Sequence, residues 1–302
     1  MSFNPNRKKS SPPRGIGRTA EIEQINTHEA KQRALQMLRS GKVRTNSKLR
    51  NTCLLLGTAG VLLEEQILEL IGLSRRTLQR YRQKRILDVV PTPINLTNLL
   101  EEEHRIWTLG PIGTALAEML QGKNLIPKGY LESKIDRVTH DLLCNLVYYK
   151  LHLASREHQF TAILLSRYEA TIHNKKGQPI LEPDAMIILQ SPDETQIKFL
   201  VEYHNENYSS RAAEKIRKYE HVYQEAYWED QWHVLSFPPI LIVTTHRAPA
   251  VGYNTEIQKH LKGTGVKCTY LIKPLRTLLD GSQSPLVWLN LEKNRSVNLL
   301  KI

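Results

Sequence analysis

Two short apolar runs separated by a polar turn are the clearest pattern in the second half of the chain. The runs span residues 186–189 and 197–201, and the turn between them, 191–194, is rich in Ser, Pro and Asp. This arrangement predicts two strands of a hairpin. If the strands pair about that turn, Asp184 before the first strand and Glu202 after the second come out at the same end of the sheet.

The segments around this hairpin alternate between helical and extended patterns. Apolar spacing and composition predict helices over 134–156, 210–228 and 254–262 and strands over 161–165, 167–172, 237–244 and 266–272, with a short helix or turn at 275–279. From residue 134 onward the predicted order is α, β, β, β, α, β, α, β. The pattern therefore predicts an α/β domain over 134–302, and the Gly- and Pro-containing segment 121–133 is predicted to be a linker.

The first half of the chain shows a different pattern. Helices are predicted over 28–40, 46–58, 63–71, 75–86 and 110–120, and strand-like pieces over 87–90 and 104–109, joined by a polar loop. A short helix, a turn at Gly72 and a second helix capped by Ser74 form a helix-turn-helix. The two strands are predicted to form a wing, so residues 28–122 are expected to be a winged helix-turn-helix domain.

Cationic and amide side chains crowd the outward face of the predicted helix 75–86, while Leu78 and Tyr81 face inward. The outward residues are Arg75, Arg76, Gln79, Arg80, Arg82 and Lys84. Such a face can contact the phosphates or base edges of double-stranded DNA. The alternative is a small helical bundle with a charged, solvated face.

Charge supports the first of these alternatives. The net charge is +12, and residues 1–133 hold 21 Lys and Arg against 12 Asp and Glu, whereas the remainder holds 21 against 18. Residues 1–27 are predicted to be a basic, flexible arm. With no long apolar run and no paired spacing among its three cysteines, the chain is expected to be soluble and cytoplasmic, without membrane contact, disulfides or zinc.

The two acids at the hairpin end suggest metal chemistry. Carboxylate oxygens hold hard cations such as Mg²⁺ or Mn²⁺, which makes Asp184 and Glu202 the predicted metal ligands. Lys215 on the following helix, or His204, can orient water or stabilise negative charge. Alternatively, Asp184 satisfies backbone donors and Glu202 forms a structural ion pair. Glu169, on a predicted strand, is a weaker third acid.

These residues resemble the PD-(D/E)xK, or restriction-endonuclease-like, superfamily, and more narrowly the plasmid replication-relaxation family. The resemblance is carried by Pro183-Asp184, by Val201-Glu202 and by the helix with Lys215, Lys218 and Tyr219. It implies an α-β-β-β-α-β nuclease-like core behind the winged helix. His204 stands where the superfamily has lysine, and the family's His-bearing helix corresponds to the helix that carries His140, where a core hydrogen bond is the alternative role. Asp141 is an optional extra acid.

The resemblance implies a DNA-binding protein of a plasmid or mobile element that acts in replication or relaxation and nicks DNA with a metal. Its catalytic residues would be Asp184, Glu202, His204 and Lys215. The alternative is a non-enzymatic regulator whose degenerate nuclease-like domain forms a homodimer or binds another replication or transposition protein. A transposase accessory subunit that cuts one strand end is a third hypothesis.

Overall fold

The computed structural model of the protein describes residues 25–100, 104–125, 135–225, 227–263 and 265–302. Most of the predicted basic arm and most of the predicted linker lie outside these residues. Of the described part, we refer to residues 25–125 as the N-terminal unit and to residues 135–302 as the C-terminal unit. Together they form a mixed α/β protein with one large sheet, as the sequence predicts at the level of fold class.

The N-terminal unit combines six helices with a small antiparallel sheet. The helices are α1 (Thr27–Arg39), α2 (Lys48–Ala59), α3 (Glu64–Ile71), α4 (Arg75–Gln83), α5 (Ile94–Leu100) and α6 (Pro111–Gln121). The strands are β1 (Val61–Leu63), β2 (Leu87–Val90) and β3 (Ile106–Leu109), in the order β1-β3-β2. Ser74 caps α4 by accepting a hydrogen bond from the Thr77 backbone N–H, as predicted.

Two parts of the N-terminal unit differ from the prediction. Strand β1 pairs with β3, although 61–63 was not predicted to be extended. The segment predicted to be a polar loop contains helix α5, because Leu96 is fully buried and anchors the segment to the core. Burial of that leucine in a tertiary contact outweighs the polar composition of its neighbours.

The C-terminal unit is built around a sheet of seven strands. Its helices are α7 (Ile135–Arg156), α8 (Arg167–Ala170), α9 (Ser210–Glu225), α10 (Tyr227–Trp232), α11 (Arg247–Lys262) and α12 (Leu275–Leu279). Its strands are β4 (Thr161–Ser166), β5 (Ile172–His173), β6 (Pro179–Leu181), β7 (Ala185–Gln190), β8 (Gln196–His204), β9 (Ile240–Thr244), β10 (Tyr270–Pro274), β11 (Val287–Asn290) and β12 (Arg295–Asn298).

The sheet order explains how distant segments meet. It runs β12-β11-β10-β9-β8-β7-β4, and β5 and β6 form a separate pair. The predicted hairpin β7–β8 is antiparallel, whereas β8, β9 and β10 are parallel to one another. The parallel strand β9 is buried at every position.

Several parts of the C-terminal unit differ from the prediction. The helix predicted over 254–262 begins earlier, at Arg247. Residues 167–172 are not one strand, because Glu169 closes a capping box on Ser166 that starts the short helix α8. The predicted helix 210–228 ends at Glu225 and is followed by the separate helix α10. The terminal hairpin β11–β12 was not predicted; its second strand has no buried position.

The two units pack against each other along α7. One hydrophobic cluster runs from α1 through the N-terminal sheet and α7 to one face of the large sheet. Asn145 on α7 is buried there and donates hydrogen bonds to the carbonyls of Ala59 at 2.8 Å and Val61 at 2.7 Å. A second cluster lies on the opposite face of the sheet, under α9, α10 and α11. Among the described residues, no helix has the length and apolar character needed to cross a membrane.

Candidate functional site

Asp184 and Glu202 lie at the same end of the central hairpin. Ala185 pairs with Val201 across the two strands, and the Asp184 backbone N–H donates to the Val201 carbonyl at 3.0 Å. Both carboxylates line a cleft of about 790 Å³ between α7, α9 and the ends of the strands. The antiparallel register therefore brings together two acids that are eighteen positions apart in the sequence.

Cationic groups surround the Asp184 carboxylate on two sides. Arg167 Nη2 lies 2.6 Å from Oδ1, and His140 Nε2 lies 3.3 Å from Oδ2. The Tyr203 backbone N–H donates to Oδ2 at 2.9 Å. Only 8% of the Asp184 side chain is exposed, so the charge depends on these partners for its stability.

The pKa values of this cluster reflect the balance between burial and charge. Burial raises the pKa of Asp184, but His140, Lys215 and Arg167 outweigh it and hold that pKa well below its ordinary value. For His140, burial lowers the pKa, but Cys144 and the carboxylates of Asp184 and Asp141 raise it well above the usual range. Burial also raises the pKa of the Cys144 thiol to about 11.

Glu202 is held from helix α9. Its side chain is 1% exposed, and Tyr219 donates its hydroxyl hydrogen to Oε1 at 2.5 Å. Lys215 Nζ lies 2.5 Å from Oε2. Lys215 is therefore the cation that pairs with Oε2, and Tyr219 contacts the other oxygen, Oε1. Burial lowers the pKa of Lys215, but the charges of Glu202 and Asp184 outweigh it and raise that pKa.

His204 has its own partners, away from the two acids. Its side chain is 2% exposed, Nδ1 lies 2.8 Å from Glu206 Oε1, and Nε2 lies 2.7 Å from the Tyr253 hydroxyl. Both ring nitrogens are thus engaged. In the cleft, Glu202 is contacted by Lys215 of helix α9 and not by His204.

The remaining candidates lie farther from the carboxylate pair. Lys218 is half exposed and forms an ion pair with Glu214 one turn away. Glu169 contacts Lys123 of the N-terminal unit at 2.7 Å and accepts from the Ser166 backbone N–H at 2.9 Å. Burial raises the pKa of Glu169, but the bonds with Lys123 and Ser166 outweigh it and lower that pKa. Glu169 therefore connects the units rather than joining Asp184.

Three residues that the sequence reasoning did not assign contribute to the site. Arg167 binds Asp184, Tyr219 binds Glu202, and Cys144 lies beside His140, with Sγ 3.9 Å from Nδ1. The helical spacing of His140 and Cys144 signals that they share a face of α7. The capping-box pattern from Ser166 to Glu169 signals that Arg167 opens a helix.

Helix α4 presents the cationic side chains that were predicted to bind DNA. Arg75, Arg76, Arg80 and Lys84 are exposed, whereas Gln79 and Arg82 are partly buried. Arg75 Nε lies 2.9 Å from Glu64 Oε1 on α3, so this arginine also ties the two helices together. Leu78 is fully buried, which fixes the direction of the charged face.

The carboxylate pair suits a hard divalent cation in its donor chemistry. Glu202 and Asp184 supply carboxylate oxygens from neighbouring strand ends, and a cation bound there would compete with Lys215, whose Nζ lies 2.5 Å from Glu202 Oε2. A separate group of possible ligands consists of His140, Cys144 and Asp184, one ligand atom of each lying within 4.8 Å of the others.

The fold and cleft define a mixed α/β protein with buried, cation-paired carboxylates and a basic helix on a separate unit. A family model described as replication-relaxation matches residues 35–235, which include helix α4 and the acids of the cleft. The chain therefore belongs to the replication-relaxation family, which indicates a role in the replication or relaxation of a plasmid or mobile element. Comparisons with curated proteins and with solved structures gave no match.

Proposed function

We propose that the protein binds double-stranded DNA of a plasmid or mobile element through α4 and nicks it in the cleft with a divalent metal. The observation that supports this most strongly is the placement of Asp184 and Glu202 at one end of the central hairpin with Lys215 against Glu202. Family membership is consistent with action on DNA during replication or relaxation.

In this proposal each side chain has a distinct role. Asp184 and Glu202 would hold Mg²⁺ or Mn²⁺, which when bound supplies Lewis acidity and an activated water. Tyr219 fixes the rotamer of Glu202, and Arg167 fixes that of Asp184. Lys215 stabilises negative charge that develops on the phosphate, because its ammonium group is held at the cleft wall by buried carboxylates.

The mouth of the cleft is suited to a polyanion. Three exposed cations line it, Arg137, Arg211 and Lys218. Each also lies near a carboxylate, so phosphate would have to compete with Asp141, Glu206 and Glu214. Exposed cations bind phosphates with release of counterions. This mouth would hold the backbone of the strand to be cut, while α4 holds duplex DNA elsewhere on the protein.

The test is conversion of supercoiled plasmid to open circles by the full chain, with Mg²⁺, with Mn²⁺ and with EDTA. Asp184→Asn and Glu202→Gln should abolish nicking, and Lys215→Met should slow it by about 100-fold or more. Lys259→Met, which removes an exposed lysine of α11 outside the cleft, is the charge-matched control and should nick like wild type. Nicking that persists in EDTA or in both carboxylate variants would refute the proposal.

A second function is favoured by one observation, the complete pairing of Asp184 with Arg167 and His140. A carboxylate neutralised in this way can serve a purely structural role in a DNA-binding regulator that dimerises or binds a replication or transposition protein. This alternative predicts DNA binding that is unaffected by EDTA, no nicking with either metal, and a dimer or partner complex in sedimentation.

A further inference from the structure

We propose that His140, Cys144 and Asp184 form a site for a borderline-soft divalent metal such as Zn²⁺, distinct from the hard-cation pair of Asp184 and Glu202. A ring nitrogen of His140, the Cys144 sulfur and an Asp184 oxygen all lie within 4.8 Å of one another. Nitrogen, thiolate and carboxylate ligands in this number are those of open zinc sites.

Helix α7 places two of the three ligands. His140 and Cys144 are four residues apart, so their side chains project from one face, one turn above the other. The His140 Nδ1–Cys144 Sγ distance is 3.9 Å, and the His140 Nε2–Asp184 Oδ2 distance is 3.3 Å. Ligand atoms of a tetrahedral zinc ion lie about 3.3–3.8 Å apart given bonds of about 2.0–2.3 Å. These two contacts involve different nitrogens of the His140 ring. One ligand atom of each residue lies within 4.8 Å of the others, so the three atoms must draw together by up to about 1 Å to bind one ion.

The surroundings of the three ligands also suit a metal. Asp141 Oδ1 lies 3.1 Å from His140 Nδ1, so this carboxylate can orient the ring when Nε2, which faces Asp184, binds the ion. Arg167 binds one oxygen of Asp184, Oδ1, whereas Oδ2 faces His140 and accepts a hydrogen bond from the Tyr203 backbone N–H. All three ligands line the cleft, which provides a path for entry of an ion.

The ligand chemistry separates this site from the carboxylate pair. A thiolate selects Zn²⁺ or Co²⁺ over Mg²⁺, whereas two carboxylates select the harder ion. Because Asp184 belongs to both groups, a metal bound by Cys144 would withdraw this carboxylate from the hard cation. Inhibition of nicking by Zn²⁺ would follow, and this consequence alone depends on the proposed nuclease function.

The decisive measurement is titration of EDTA-treated full chain with Co²⁺, followed by absorption spectroscopy. Wild type should bind one equivalent with a thiolate-to-cobalt band in the near ultraviolet and tetrahedral bands in the visible, and Zn²⁺ should remove both. Cys144→Ser should lose the thiolate band and weaken binding by about 100-fold or more. Cys268→Ser removes a cysteine that is equally buried, in the other hydrophobic cluster, and should leave the spectrum unchanged.

Two further variants make the result independent of folding defects and of the nuclease proposal. If Cys144→Ser lacks a cooperative unfolding transition, His140→Gln decides, because its side chain is partly exposed and its loss should weaken Co²⁺ binding by at least about 10-fold. Glu202→Gln should abolish nicking yet keep the cobalt spectrum. A wild-type spectrum without a thiolate band, or one that survives both Cys144→Ser and His140→Gln, would overturn the inference.

Discussion

The ion pair between Glu202 and Lys215 gives a prediction that depends only on the structure. Glu202 is 1% exposed and Lys215 is 19% exposed, and Tyr219 is the other polar partner of the carboxylate. Lys215→Met leaves the buried carboxylate without its cation. Removal of one partner from a buried pair costs about 3–5 kcal/mol, and the residual exposure of Lys215 places this case near about 3 kcal/mol.

A double-mutant cycle separates this effect from lost packing. Glu202→Gln alone should cost about 1–2 kcal/mol, since Lys215 can reach solvent and the Tyr219 hydrogen bond can be kept. The loss of unfolding free energy in the double variant should be far smaller than the sum of the two single losses, with a coupling energy of about 2 kcal/mol or more. The cause is that the double variant contains no uncompensated buried charge.

Urea unfolding followed by tryptophan fluorescence measures these differences, because Trp228 and Trp232 lie in the same hydrophobic cluster as Tyr219. With a slope of about 3 kcal/mol/M, the midpoint of Lys215→Met should fall by about 1 M. Lys218→Met, on the same helix but in an exposed pair, should keep the wild-type midpoint. Single-variant effects that add within about 0.5 kcal/mol would refute the reasoning.

Three other predictions concern the contact between the units and the basic helix α4, which is proposed to bind DNA. Asn145→Leu should lower stability by about 2–4 kcal/mol in urea unfolding, because two buried carbonyls lose their donor, whereas Leu at exposed Asn207 should not. The pKa of Glu169 is lower in the folded protein than in the unfolded chain. The stability that this carboxylate contributes is therefore complete above pH about 4.3 and is lost as the pH falls towards the folded pKa. Glu169→Gln should flatten that part of the curve of unfolding free energy against pH. The double variant Arg76→Ala, Arg80→Ala should reduce the slope of log K for DNA binding against log salt concentration by about 2. An unchanged slope would place the DNA away from α4.

The parts of the site that follow from local pattern were predictable. The position of the turn sets the register of the two strands. The register places Asp184 and Glu202 at the same end of the hairpin, so their proximity follows from the turn. The position of Lys215 on α9 follows from helical periodicity, although its contact with Glu202 requires knowledge of how the helix packs on the sheet. The capping box at Ser166 was also present in the sequence, and recognising it would have corrected the predicted strand over 167–172.

The partners of Asp184 were not predictable in the same way. Between His140 and Asp184 lie the rest of α7, the strands β4, β5 and β6 and the helix α8. The contact exists because α7 packs against β4 and β8. Cys144 carries no signal of its own, since a buried cysteine in an apolar helix is usually only a core residue. Local rules identify the helix face, but the strand end that this face meets is decided by tertiary packing.

The position of His204 shows how the sheet and its helices determine the location of the cation. Glu202 and His204 lie on the same face of β8, and this face is covered by α9 and α11. At Glu202 the covering helix is α9, which supplies Lys215 and Tyr219. At His204 it is α11, whose Tyr253 binds the imidazole.

The close approach of α11 to the start of α9 leaves no room for a side chain at position 252. A Cβ on Gly252 would lie 2.8 Å from the Ser209 carbonyl oxygen, so glycine is required at this crossing. A lysine at position 204 would have to fit its chain into the space between Tyr253 and Glu206. It would also add a second ammonium beside a carboxylate that Lys215 already neutralises. With the imidazole used to bind α11, a cation that serves Glu202 must come from α9, and this makes Lys215 the residue on which the nuclease proposal depends.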